Sequence, residues 1–142
     1  MSEVAQLRKR LRAAMDAARR EDGERRARAA DAAKAYDVFL ESTAVPTFRQ
    51  VAMTLKAEGV SFEVMTPSGG VRLVPERRRE DGIEMNLDAG SDPPQPLITI
   101  TRTRGSRSLV SERAIRLDTP IASLTEEDVI EMLLEELKPW LA

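Results

Sequence analysis

Residues 2 to 41 contain no proline and a single glycine, and they are dominated by Ala, Arg, Glu and Leu, the strong helix formers. This composition predicts one helix of about forty residues, which at about 1.5 Å of rise per residue spans roughly 60 Å. A hundred-residue globule has a radius of gyration of only about 13 Å. A rod of that length cannot be hidden by a body this small, so its first half is expected to project. Gly23 costs the helix about 1 kcal/mol relative to alanine. Four acid-before-base pairs at a spacing of four, Asp16/Arg20, Glu21/Arg25, Asp22/Arg26 and Glu24/Arg28, each return roughly 0.2 to 0.5 kcal/mol. The sum is near balance, which predicts at most a kink at Gly23.

The apolar face of this helix changes along its length. Val4, Leu7, Leu11, Ala14 and Ala18 alternate spacings of three and four, a thin heptad seam. From Ala29 through Ala32, Ala33, Tyr36, Phe39 and Leu40 the face broadens and ends in aromatics, as on a helix packed against a body. Because an isolated helix is marginal in water and draws its stability from burying an apolar face, the thin seam needs a partner. Val4, Leu7, Leu11, Met15 and Ala18 are therefore the expected partner-contact residues. A second copy of the chain is the simplest occupant, since two-fold homodimers are the commonest oligomers, and a helix of another protein partner is the other.

The rest of the chain is punctuated by prolines and glycines. Pro46 suits the first turn of a second helix, whose buried face is Phe48, Val51, Ala52 and Leu55 and whose stop is Gly59. From Val60 the apolar period falls to two, and five strands follow: Val60 to Val64, Val71 to Val74, Ile83 to Leu87, Leu97 to Thr103 and Leu109 to Leu117. Their short connections predict an antiparallel meander. Thr125 with Asp128 three residues on marks the start of a C-terminal helix with an apolar face at Val129, Ile130, Leu133, Leu134 and Leu137. The expected architecture is α+β: a long N-terminal helix, a second helix, a five-stranded antiparallel meander sheet, and a C-terminal helix packed with the second on one sheet face. Residues 1–41 form the helical arm and 42–142 a single compact domain, in keeping with one domain for 142 residues.

Composition narrows the chemistry. Cysteine and histidine are both absent, which removes disulfides, thiol catalysis, thiolate metal sites, the commonest general base and the commonest metal ligand. No catalytic motif stands out, and the reading leans away from an enzyme. No cofactor or metal site is expected. Gly69-Gly70 lacks the spacing of a phosphate loop, and Asp88, Gly90 and Asp92 lack the later ligands of a calcium loop. Glu131, Glu135 and Glu136 read as the solvated side of the C-terminal helix. There is no membrane-length apolar run and no apolar stretch of signal-peptide type at the start, so a cytoplasmic protein is expected.

Charge is unevenly spread. Residues 1 to 34 hold ten basic and six acidic groups, and residues 118 to 142 one basic and seven acidic. The ends are thus of opposite sign, suited to attract one another within or between subunits or each to address a different outside partner. Arg8, Lys9, Arg10 and Arg12 form the densest basic cluster, and Arg102, Arg104 and Arg107 a second around Gly105. Both sets are candidate phosphate-binding residues. Arg77, Arg78 and Arg79 beside Glu80 and Asp81 read as a solvated loop. The expected function is a non-enzymatic protein-interaction or oligomeric assembly module that uses its N-terminal helix. The alternative is a nucleic-acid-associated accessory protein that binds phosphate through the Arg-rich helix.

Overall fold

The computed structural model describes residues 2–142. The chain is α+β, with a five-stranded antiparallel sheet in the order β1-β2-β3-β4-β5. Helix α1 (Glu3–Phe39) begins at Ser2, whose hydroxyl oxygen accepts the backbone N–H of Ala5 at 3.2 Å, and it runs through Gly23 without a break. Of the four expected pairs along it, only Asp22/Arg26 forms; Asp22 also takes Arg25, and Arg28 leaves Glu24 for Asp92 of the body.

Pro46 stands in the first turn of the second helix, as expected, but no break in the helical backbone precedes it. Instead α1 passes through a π-turn, Leu40–Ala44, directly into α2 (Val45–Ala57), and the backbone stays right-handed throughout. The reason is the ring of Pro46, which lacks an N–H and crowds the carbonyl four residues earlier. Widening the turn, with the Val45 N–H reaching back to the Leu40 carbonyl, admits the proline without unwinding the helix.

The strands are β1 (Phe62–Met65), β2 (Val71–Pro75), β3 (Gly82–Asp88), β4 (Gln95–Arg104) and β5 (Arg107–Arg113). Strand β1 begins two residues later than the alternation implies. Strand β5 is Arg107–Arg113 rather than Leu109 to Leu117 because its hairpin is tighter than expected. Gly105, at φ +65°, permits a two-residue turn that pairs Arg104 directly with Arg107. Gly82 begins β3 at φ +148°, and a Cβ there would lie 2.5 Å from the Leu73 carbonyl oxygen, so only glycine lets the strands approach.

A 3-10 turn (Ile121–Ser123) precedes α3 (Glu126–Leu141), which a capping box opens. The Thr125 backbone N–H donates to the Asp128 carboxylate at 2.9 Å, and the Asp128 N–H donates to the Thr125 hydroxyl at 3.2 Å. Register places Phe62, Leu73, Ile83, Met85, Ile98 and Ile100 on one sheet face. There they join Phe48 and Leu55 of α2 and Met132, Leu133 and Leu137 of α3 in a single core. Burying each such side chain contributes roughly 1.5 to 3 kcal/mol. Tyr36 and Phe39 enter the same core, so the second half of α1 belongs to the body.

Candidate functional site

The meander puts the β1–β2 and β3–β4 turns at one end of the sheet, and α1 is fastened there. The Tyr36 hydroxyl donates to the Gly69 carbonyl at 2.7 Å, and Arg28 donates to both Asp92 carboxylate oxygens, at 3.1 and 2.9 Å. The hydrogen bond from Arg28 holds the Asp92 carboxyl below the usual carboxylate range. N-terminal to Arg28 the helix leaves the body. Val4, Leu7, Leu11 and Met15 are 69%, 65%, 57% and 45% exposed, and Ala18 is exposed as well. All five expected contact residues therefore stand on a free rod of some twenty residues, about 30 Å long at the helical rise.

The basic residues of the arm divide into two groups. Arg19, Arg25 and Arg26 are paired along the helix with Asp16 or Asp22, whereas Arg8, Lys9, Arg10, Arg12 and Arg20 are exposed and have no carboxylate within ion-pair distance among the described residues. No ion pair among the described residues joins the basic N-terminal segment to the acidic C-terminal one. Three of the six acids of α3 are engaged elsewhere. Arg113 of β5 contacts Glu135 at 2.7 Å and Glu136 at 3.4 Å, and Arg116 contacts Asp128 at 3.4 Å.

The two candidate phosphate-binding sets do not form one surface. The arm is anchored where β4 begins, and the β4–β5 tip lies at the far end of that ten-residue strand, roughly 30 Å away at about 3.3 Å per residue. Instead, Arg102 and Arg104 meet Arg77 and Arg78, which the sequence presents only as a solvated loop. These four arginines line a hollow of about 640 Å³ with Asp81 and Trp140, while Arg107 lies outside its lining. More than twenty residues separate the loop from the hairpin, and only the strand register brings them to the same end of the sheet.

No family model matches the chain, and no solved structure matches it. Over 50 residues it is 37% identical to a protein of Danio rerio described as polyprenol dehydrogenase. That stretch is 35% of this chain, and the chain covers 15% of that protein's length. A match of this extent is too short to carry an activity. Among the described residues no cluster of acidic side chains is arranged to hold a metal ion, and no helix is long and apolar enough to cross a membrane.

Proposed function

We propose that the protein is a non-enzymatic assembly module, a homodimer in which the free half of α1 pairs with the same segment of a second copy. One observation carries this reading: α1 is unbroken at Gly23 and holds Val4, Leu7, Leu11 and Met15 in solvent, in line and away from their own body. Four large apolar side chains in one stripe form a seam of the kind that helices use to pair.

Charge selects the direction. Residues 3 to 12 carry Arg8, Lys9, Arg10 and Arg12 against Glu3, and residues 16 to 24 carry Asp16, Glu21, Asp22 and Glu24 against Arg19 and Arg20. Antiparallel pairing sets the basic stretch of each arm opposite the acidic stretch of the other. Parallel pairing would set like against like. The alternative, phosphate binding along the arm, has less to work with because Arg19, Arg25, Arg26 and Arg28 already have carboxylate partners.

The test is solution mass by light scattering. Replacing Leu7 and Leu11 with Ser is expected to convert a dimer into a monomer with an unchanged body, and a dimer that survives this change refutes the seam. The absence of cysteine makes direction measurable by cross-linking. A mixture of Leu7→Cys and Ala18→Cys chains should join across the two positions, and Leu7→Cys alone should not join to itself. For the alternative, Gln in place of Arg8, Lys9, Arg10 and Arg12 would abolish salt-sensitive binding to nucleic acid.

A further inference from the structure

At the end of the sheet opposite the arm, the β2–β3 loop and the β4–β5 hairpin meet beside the last turn of α3. The hollow between them, about 640 Å³, is of the size that small-molecule sites occupy. Four guanidiniums, those of Arg77, Arg78, Arg102 and Arg104, line it together with one carboxylate. That carboxylate is already engaged. Asp81 is buried, and its two oxygens accept the Thr103 hydroxyl at 2.7 Å and the Thr103 backbone N–H at 3.0 Å. None of the four arginines has an acidic partner within ion-pair distance among the described residues, whereas the adjacent Arg79 is paired with Glu63 at 2.8 Å. Like charges gathered around a concave, low-dielectric wall focus a positive potential into it.

The wall is also braced. Arg72 donates to the carbonyls of Arg79, Glu80 and Asp81, which fixes the loop that carries Arg77 and Arg78. Arg102 and Arg104 are two apart on β4 and project to the same side. The backbone is thus braced while the four guanidiniums have no carboxylate partner among the described residues, which leaves them free for the forked contacts that arginine makes with phosphate oxygens. A lone carboxylate would leave most of this charge unanswered. A phosphate group carries about −1.5 to −2, and a chain of phosphates carries more. Beside the arginines lies Trp140, half-buried, with its ring edge-on to Phe62 at 6.0 Å. An aromatic face next to a phosphate site is what a nucleobase stacks on.

We infer that this hollow binds a nucleotide, with its phosphates on Arg77, Arg78, Arg102 and Arg104 and its base beside Trp140. The same chemistry is offered by a free nucleotide and by one unit of a single strand, and the site is independent of the pairing of the arms. Trp140 is the only tryptophan in the chain, so its fluorescence reads the site directly. The full chain is titrated with ADP, with pyrophosphate and with a short oligothymidylate. The expected result is a saturable change with ADP that is weaker with pyrophosphate. It should weaken about tenfold or more in Arg102→Gln/Arg104→Gln and again in Arg77→Gln/Arg78→Gln, as the loss of charge-assisted bonds requires. It should persist in Arg8→Gln/Arg12→Gln. Tighter binding of the oligonucleotide than of ADP, with the same arginine dependence, assigns the site to a strand. No saturable change with any probe, equal affinity for pyrophosphate and ADP, or indifference to both double substitutions overturns the inference.

Discussion

Arg28 and Asp92, sixty-four residues apart in sequence, form a two-pronged ion pair at 2.9 and 3.1 Å that marks where α1 leaves the body. On its C-terminal side the helix contributes Tyr36 and Phe39 to the core, and on its N-terminal side the seam residues are exposed. The pair is itself open to solvent, so its effect is read best in titration. The bond from Arg28 depresses the Asp92 carboxyl. A carboxyl depressed by folding adds stability above its unfolded value, and that stability is lost as pH falls through the folded value. Carboxyl NMR of the folded chain should therefore find Asp92 titrating below an ordinary aspartate, and Arg28→Gln should return it to the ordinary range. An Asp92 that titrates normally in the parent chain would mean that the arm is not fastened there.

Tyr36 gives the opposite sign at the alkaline end. Burial raises its hydroxyl to about 12, above the usual value of about 10. Because the folded state keeps this proton while the unfolded chain releases it, stability is full below pH ~10 and falls as pH rises from there towards ~12. Tyr36 is the only tyrosine, so tyrosinate absorbance follows this one group. Its midpoint should lie well above 10 and move with alkaline unfolding. Tyr36→Phe, which removes the bond to the Gly69 carbonyl, should cost about 1 kcal/mol in urea denaturation.

The capping box of α3 separates two roles. Thr125→Ala removes the hydroxyl that accepts the Asp128 N–H, and it should cost about 1 kcal/mol, the usual loss for an N-cap. The Asp128 carboxyl, however, is depressed first of all by the Thr125 backbone N–H, which the substitution leaves in place. Asp128 should therefore stay below the usual aspartate range in Thr125→Ala. A return to the ordinary value would show that the whole turn had come apart.

Much of this fold was legible because its signals are local. The proline-free run to Glu41, the alternation at Ile83, Met85 and Leu87, and the Thr125/Asp128 spacing each follow from backbone geometry within one element. The junction at Leu40–Ala44 was not, because a proline at position 46 is compatible both with a fresh helix start and with a widened turn, and in the structure Phe39, Ala44 and Phe48 on either side of it share one core. The exposed seam was legible as a stripe of spacing three and four. The hollow was not. Arg77 and Arg78 look like solvated charge until strand register brings them against Arg102 and Arg104, and register is set by contacts that no single segment contains.

Gly23 tests the arm without touching its seam. It lies inside the unbroken helix with nothing within 4 Å of where a Cβ would stand, so Gly23→Ala adds no clash and removes a helix penalty of about 0.8 to 1 kcal/mol. In a monomer the gain would appear only as slower amide exchange along residues 5 to 22. In a paired arm it appears again in affinity, to the extent that a lone helix frays in water and pairing suppresses that fraying. With two arms per dimer the dissociation constant should fall by the equivalent of up to about 2 kcal/mol, roughly thirtyfold, as measured by dilution in light scattering. Slower exchange with unchanged dissociation would show that the helix is stabilised but that the arm is not the contact.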